Sequence, residues 1–148
     1  MRILSVDDEP INLMVLEQMV EALGHQAVAV ACAADALERI QAEPFDAVLA
    51  DIHMPEIDGV EMLRRIRLLA SPLCEAPVIA VTADVMSRDA QDYRELGFAG
   101  VMAKPLIMPV LQRVLAGVAA GPGLRRFEAC GFGKGYSREE RAWLSSGR

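Results

Sequence analysis

The sequence predicts an α/β fold, a (βα)5 doubly wound sheet of five parallel strands, and three observations predict it. Short apolar runs recur along the first 119 residues, and each is followed by a longer amphipathic run, as expected for strands that alternate with helices. The apolar runs are almost uninterrupted, which is typical of parallel strands covered on both faces. The chain has 148 residues, of which 53% are hydrophobic, enough for one such core and a tail.

Five pairs of strand and helix are predicted in order along the chain. Each strand is one of the apolar runs, at residues 2–6, 26–30, 45–50, 77–82 and 99–103. Each helix is the amphipathic run that follows, at residues 10–23, 34–42, 59–69, 87–96 and 109–119. Gly24 and Gly97 stand where the first and fourth helices need a left-handed cap. Pro109 suits the first turn of the fifth helix, because its missing N–H removes no helical hydrogen bond there.

The composition changes after residue 120. Residues 1–120 are predicted to form the folded domain, and residues 121–148 to form a Gly-rich tail or linker that is poorly ordered. Such a tail is expected to bury little surface. Within it, Ser137 and Glu140 have the spacing of a capping box for a short helix.

Charge and hydropathy argue against two classes of protein. Residues 1–123 hold 9 basic and 18 acidic residues, and this net charge of −9 disfavours direct nucleic-acid binding, which needs clustered cations. The longest stretch without a charged residue has 13 residues, whereas a membrane span needs about 18, so no membrane span is expected. The N-terminus lacks the length and the cleavage site of a secretory signal, and the expected compartment is the cytoplasm.

Polar residues stand at the carboxyl ends of four predicted strands. They are Asp7 and Asp8 after the first strand, Asp51 after the third, Thr82 at the end of the fourth and Lys104 after the fifth. In a doubly wound sheet the functional crevice lies at the carboxyl ends of the strands. We therefore expect these five side chains to meet in one pocket.

The three aspartates Asp7, Asp8 and Asp51 indicate a divalent cation. At a separation of about 5 Å and an effective dielectric of about 20, each pair of carboxylates repels by roughly 3 kcal/mol, and a cation removes that cost. Oxygen ligands with few protein donors suit Mg²⁺, which keeps several waters and shares its shell with a phosphate. Asp is also common as a turn former or helix cap, but three at two adjacent strand ends, with Lys104 at another, favour a functional site.

Lys104 and Thr82 suit the recognition of a phosphoryl group. Pro105 blocks a helical extension after Lys104, so that the ammonium can point into the acidic pocket. The Thr82 hydroxyl can bond a phosphoryl oxygen. Taken alone, a β-branched residue that simply fills a strand position is the stronger interpretation of Thr82.

Four short segments carry a resemblance to a known family. They are Asp7-Asp8-Glu9-Pro10, Asp51-Ile52-His53-Met54-Pro55 with Asp58-Gly59, the run Pro-Val-Ile-Ala-Val-Thr-Ala at 77–83, and Lys104-Pro105. With these segments in this order and spacing, the sequence resembles the receiver domain of two-component response regulators from residue 2 to about residue 119. Asn12 and the 77–83 run make it especially similar to the receivers of hybrid sensor histidine kinases. The resemblance implies a flavodoxin-like fold.

The resemblance also implies how a metal ion is held. Asp51 is the phosphoacceptor and belongs to the metal site, and Asp8 is a direct ligand of Mg²⁺. Asp7 acts mostly through water. The main-chain carbonyl of His53 supplies a further ligand.

In the same scheme Thr82 and Lys104 bind the phosphoryl oxygens. Asp51 attacks a phosphohistidine in line, positioning and charge neutralisation do most of the catalysis, and the acyl phosphate is later hydrolysed. The implied partner is a sensor histidine kinase or a histidine-phosphotransfer protein. The implied function is that of a phosphorelay receiver whose phosphorylation switches its interactions, and whether it acts as a monomer or a homodimer stays open.

One position departs from the family. Three residues before the lysine of the fifth strand the family usually carries Tyr or Phe, and this chain has Val101. The aromatic rotation that commonly reports phosphorylation to the surface cannot occur at Val101. Switching could still use a movement of Thr82 toward the phosphoryl group.

The first predicted helix is apolar over more of its surface than packing on a sheet requires. Its apolar positions, with Ile11 and Val15 among them, cover an arc of about 200°, roughly twice what such packing needs. The surplus is either a docking surface for helices of a histidine-containing partner or a face that neighbouring helices bury. The sequence does not decide between the two.

Two other functions remain as alternatives. The first is an aspartate-based phosphohydrolase of the same α/β type, but such enzymes usually carry a second Asp two residues after the nucleophile, where this chain has His53. The second is a phosphorylation-independent interaction module, which the intact set of acidic residues disfavours.

Overall fold

The computed structural model describes residues 1–121 and 127–130, together with residues 138 and 142. The short helix predicted to begin at Ser137 lies outside the described residues. The strands are β1 (Arg2–Val6), β2 (Gln26–Val30), β3 (Ala47–Asp51), β4 (Val78–Thr82), β5 (Gly100–Ala103) and β6 (Glu128–Cys130). The helices are α1 (Pro10–Ala22), α2 (Ala33–Ala42), α3 (Gly59–Arg67), α4 (Ala90–Leu96) and α5 (Met108–Ala119), and a 3₁₀ turn lies at Leu73–Glu75. Within the described ranges, no helix combines the length and the apolar character needed to cross a bilayer.

All strands pair in parallel, in the spatial order β2-β1-β3-β4-β5-β6. The order reverses direction between β1 and β3, as in doubly wound sheets. This confirms the predicted α/β architecture, and the first five strands lie within two residues of their predicted bounds. Gly24 and Gly97 have φ values of 87° and 104°, the left-handed conformation that the predicted caps require.

Two apolar cores cover the two faces of the sheet. On one face α2, α3 and α4 enclose a core that includes Val48 and Tyr93. On the other face α1 and α5 enclose a core that includes Leu16 and Leu49. Because successive residues of a strand point to opposite faces, the neighbours Val48 and Leu49 fall in different cores. This double burial is why the strands are apolar at nearly every position.

The fourth helix begins three residues later than the sequence predicted. A capping box starts α4, in which the Asp89 carboxylate accepts from the N–H of Asp92 and the Asp92 carboxylate accepts from the N–H of Asp89. The residues before it form a turn around Asp84, whose carboxylate accepts from the N–H of Ser87. This local side-chain bonding competes with the helix, and periodicity alone does not reveal it.

The sixth strand was not predicted, since the sequence indicated only five. β6 belongs to the segment predicted as a tail, and it pairs with β5 from Gly100 opposite Glu128 to Met102 opposite Cys130. Phe127 and Ala129 pack against the core that α2, α3 and α4 enclose. The expectation of little buried surface is therefore wrong for residues 127–130. β6 has only three residues, too few to show the alternating apolar pattern by which a strand is recognised in a sequence, and it is held by pairing with a strand that is distant in the chain.

Candidate functional site

The site lies at the carboxyl edge of the sheet, where four neighbouring strands end. Asp7 and Asp8 follow β1, Asp51 ends β3, Thr82 ends β4 and Lys104 follows β5. Because these strands are adjacent and parallel, their carboxyl ends converge, as expected from the sequence. One carboxylate oxygen from each of the three aspartates lies within 4.8 Å of the others.

Lys104 lies among the carboxylates. Its Nζ is 3.1 Å from Oδ2 of Asp7 and 3.4 Å from Oδ1 of Asp51. The backbone N–H of Lys104 donates to the carbonyl of Thr82 at 2.8 Å, which ties the end of β5 to the end of β4. The Lys104–Pro105 peptide bond is cis. With Nζ this close to both carboxylates, the ammonium lies in the acidic pocket, as expected from the sequence.

Asp51 is a desolvated carboxylate. Its residue is only 5% exposed, and this burial is the main cause of a pKa above the usual range. The Lys104 ammonium opposes that effect and lowers the pKa, whereas the Asp7 charge raises it further. Water around Asp51 is thus replaced by a lysine and a second carboxylate, which suits a group that must react while shielded from bulk solvent.

The aspartates after β1 differ in how many partners they have. Asp7 is fully buried, and it uses one oxygen to accept from the N–H of Glu9 at 2.9 Å and the other to pair with Lys104. The Asp8 carboxylate is more open to solvent and has no hydrogen bond or ion pair with any residue in the described ranges. Asp8 therefore has its oxygens available for a cation, whereas both oxygens of Asp7 are already engaged.

These residues fit a Mg²⁺ ion. The donor set consists of oxygen atoms, three of them from clustered carboxylates, which is the ligand type that Mg²⁺ prefers. Lys104 neutralises part of the charge of Asp7 and Asp51 but does not contact Asp8, so negative charge remains at the open side of the cluster.

Gly59 allows α3 to pack against the end of β3. A Cβ atom at Gly59 would lie 2.6 Å from the carbonyl oxygen of Asp51, closer than any real contact allows. The N–H of Gly59 also donates to the carbonyl of Ile52 at 3.0 Å. The Asp58-Gly59 pair was noted in the sequence, but only the close approach to Asp51 gives a physical reason for the glycine.

Thr82 and His53 both face the loop between β4 and α4. The hydroxyl of Thr82 accepts from the N–H of Asp84 at 3.0 Å, and so it is engaged in the loop and not with the carboxylates. The N–H of His53 donates to Oδ1 of Asp51 at 3.3 Å, and the His53 ring Nε2 lies 3.9 Å from Oδ2 of Asp84. Sequence reasoning placed Thr82 and His53 at the site but missed Asp84.

Asp84 holds the loop that borders the site. Its carboxylate accepts from the hydroxyl and the N–H of Ser87 and from the N–H of Met86, and these bonds lower the pKa of Asp84 to about 2. The Asp-x-x-Ser spacing, which favours such a turn, is the signal that could have revealed it.

Val101 is completely buried. It is 0% exposed and belongs to the same core as Tyr93. The Val101 side chain does not reach the protein surface. Other groups must therefore transmit any structural change from Asp51 to the surface.

A cavity of about 150 Å³ adjoins the site between α1 and the segment after β5. Asp7 and Lys104 line it together with Asn12, Val15 and Leu106. Val15, which lines the cavity, is 44% exposed on the surface of α1.

Residues 3–116 match the family of response regulator receiver domains. The chain is 35% identical over 120 residues to the sensory/regulatory protein RpfC of Xanthomonas campestris pv. campestris, covering 80% of this chain and 16% of RpfC. It is 36% identical over 115 residues to the sensor histidine kinase RcsC of Escherichia coli K12, covering 78% of this chain and 12% of RcsC. The chain therefore spans less than a fifth of the length of these curated relatives.

A solved structure is similar over almost its whole length. It is the receiver domain of the sensor histidine kinase PA1611 from Pseudomonas aeruginosa PAO1, with a magnesium ion coordinated in the active-site cleft. The sequences are 32% identical, the TM-score is 0.73, and the match covers 81% of this chain and 98% of that domain. The chemotaxis protein CheY4 of Vibrio cholerae shares the fold, with a TM-score of 0.71 at 23% identity over 79% of this chain and 97% of that one.

Proposed function

The chain belongs to the family of response regulator receiver domains, and from this premise we propose that it accepts a phosphoryl group on Asp51 from a phosphohistidine. The observation that carries the proposal is the desolvated Asp51 carboxylate, 3.4 Å from the Lys104 ammonium and clustered with two more carboxylates. The receiver domain is assigned to residues 1–120, with 121–148 as an appended segment.

The transfer step needs little covalent chemistry from the protein. An oxygen of Asp51 forms a bond to phosphorus while the bond from phosphorus to the histidine nitrogen breaks, and the electron pair stays on the imidazole. Lys104 faces the point where negative charge gathers on the phosphoryl oxygens, and its ammonium stabilises that charge.

Asp8, Asp51 and the His53 carbonyl are the groups that would hold Mg²⁺, with Asp7 acting through water. When bound, the ion supplies positive charge that offsets the crowded carboxylates and orients the phosphoryl oxygens. The magnesium in the PA1611 receiver supports this assignment.

Thr82 needs a local rearrangement to contact the phosphoryl group. Its hydroxyl is bonded to the backbone of Asp84, and it exchanges that bond for one to a phosphoryl oxygen. The loop from Asp84 to Ser87 would move with it, which gives phosphorylation a route to the surface that does not use Val101.

The phosphorylated state of Asp51 ends when water attacks the phosphorus of the acyl phosphate. The bond between phosphorus and the Asp51 oxygen breaks, so that inorganic phosphate leaves and the Asp51 carboxylate is restored.

The proposed donor is a sensor histidine kinase or a histidine-phosphotransfer protein, as the similarity to RpfC and RcsC suggests. The docking surface is the exposed face of α1, where Ile11, Met14 and Val15 are 70%, 52% and 44% exposed. Their exposure favours a docking surface over a face covered by neighbouring helices, the two alternatives that the sequence left open. Val15 of this surface also lines the cavity to which Asp7 and Lys104 contribute.

The test is incubation with Mg²⁺ and acetyl phosphate, followed by intact-mass measurement. A receiver gains one labile phosphoryl group, and the Asp51→Asn variant gains none. Steady release of phosphate from phosphate esters without labelled protein would instead support a phosphohydrolase, and the absence of both would support an interaction module.

A further inference from the structure

β5 connects the phosphoryl site with the C-terminal strand. Its first three residues pair with β6, ending at Met102 opposite Cys130. Two residues further along the chain, Lys104 contacts both Asp7 and Asp51. β5 therefore pairs with β6 along most of its length and leads directly into Lys104.

β6 is held against β5 by a close fit. A Cβ atom at Gly100 would lie 2.9 Å from the carbonyl oxygen of Glu128, so only glycine lets the two backbones approach to this distance. The Glu128 carboxylate lies 3.4 Å from Nε of Arg113 on α5. Phe127 and Ala129 pack against the core that contains Val101.

We propose that β6 is a positioning element for Lys104, and that its docking on β5 and the occupation of the Asp51 site favour each other. The proposal rests on the proposed function, since Lys104 must bind the phosphoryl group. Docking of β6 restricts the backbone of β5 through the pairing at residues 100–102. An ion pair between Lys104 and a phosphoryl group restricts the chain directly after β5. Once either has ordered the strand, the second event loses less conformational entropy, which makes the coupling positive and reciprocal.

The first measurement is hydrogen–deuterium exchange of the full chain, with Mg²⁺ alone and with Mg²⁺ plus beryllium fluoride, a mimic of a phosphoryl group on an aspartate. The amides of residues 128–130 should exchange about fivefold more slowly when beryllium fluoride is bound. An unchanged exchange rate at 128–130, with beryllium fluoride bound, would overturn the proposal and leave the proposed function intact. Failure of the chain to bind beryllium fluoride at all would overturn both.

The second measurement tests the reverse direction with matched glycine variants. Gly100→Ala places a methyl group against the Glu128 carbonyl and should weaken beryllium fluoride binding about fivefold. Gly117→Ala on α5 is the control, because its Cβ would lie 3.9 Å from the Glu128 side chain, an ordinary contact, and binding should not change.

A third variant covers the case in which Gly100→Ala does not fold. Glu128→Ala removes the ion pair with Arg113 without touching β5, and it should weaken binding in the same direction by a smaller factor. If either folded variant lowers thermal stability but binds beryllium fluoride as the wild type does, β6 is merely structural and the proposal is wrong.

Discussion

At the scale of single residues, the site is governed by the unequal environments of three aspartates. Asp51 is desolvated, Asp7 is buried with both oxygens engaged, and Asp8 is open with neither engaged. We therefore propose a different role for each in phosphoryl transfer: Asp51 as nucleophile, Asp8 as direct metal ligand and Asp7 as a ligand that acts through water.

Asp51→Asn should stabilise the protein without metal while it abolishes phosphorylation. Burial raises the folded-state pKa of Asp51 above its ordinary value of 3.8, so the folded protein keeps a proton to higher pH than the unfolded chain does. The charged carboxylate therefore costs stability at pH 7, and that cost disappears below about pH 3.8, where both states are protonated.

Thermal melts of the wild type and Asp51→Asn across pH check this. The variant should melt a few degrees higher at neutral pH and match the wild type at low pH. A lower melting temperature of the variant at neutral pH would show that the Lys104 ion pair outweighs the desolvation of Asp51.

Asp8→Ala should weaken Mg²⁺ binding more than Asp7→Ala does. The loss of a direct ligand should cost roughly 100-fold or more, whereas the loss of a group that acts through water should cost on the order of tenfold. Titration calorimetry measures both, and Glu9→Gln, an adjacent exposed acid, is the control with unchanged affinity. Equal affinities of the Asp7 and Asp8 variants would contradict the division of roles.

At the scale of elements, α3 is fixed to the rest of the fold by a partly buried cation. The Arg67 guanidinium donates to the carbonyls of Cys74, Ala76 and Gly97 at 3.0, 2.8 and 3.1 Å. It thereby joins the end of α3 to the segment before β4 and to the cap of α4. Burial lowers the pKa of Arg67, and the three carbonyls replace the water that the guanidinium loses.

Arg67→Ala should lower the free energy of unfolding by about 2 kcal/mol, because it leaves three carbonyls, two of them partly buried, without their charged donor. Arg64→Ala on the same helix removes only an exposed ion pair with Glu61 and should lower the free energy of unfolding far less, because solvent screens such a pair. Urea denaturation of both variants measures the difference. Equal losses would mean that Arg67 does not clamp α3.

Ile11→Glu should block transfer from a protein donor and spare the chemistry. Ile11 is 70% exposed, so a charge there does not disturb the core, but burying it against a partner costs several kcal/mol. The rate of transfer from a phosphorylated histidine-phosphotransfer protein should fall at least tenfold. Labelling by acetyl phosphate should not change.

Gln41→Glu on α2, an exposed position on the helix layer that covers the other face of the sheet, is the matched control, and it should transfer at the wild-type rate. Undiminished transfer to Ile11→Glu, or an equal loss in both variants, would rule out the α1 surface as the docking site.

At the scale of the whole molecule, the sequence predicts the features that regular periodicity and topology determine. The apolar runs predict the first five strands. The rule that parallel strands converge at their carboxyl ends predicts that Asp7, Asp8, Asp51 and Lys104 lie close together. The features that were missed depend on non-local or loop geometry. β6 is held by its fit to Gly100, and the hydroxyl of Thr82 is turned toward the loop of Asp84, neither of which leaves a periodic pattern.

The proposed function requires that Asp51, and no other residue, accepts the phosphoryl group. The direct measurement is to label the full chain with acetyl phosphate and Mg²⁺, reduce it with borohydride, and sequence the peptides by mass spectrometry. Borohydride delivers hydride to an acyl phosphate, releases phosphate and leaves an alcohol in place of the carboxylate. We expect homoserine at position 51 and unmodified aspartate at positions 7 and 8. Homoserine at another position, or none in a chain that carries the label, would contradict it.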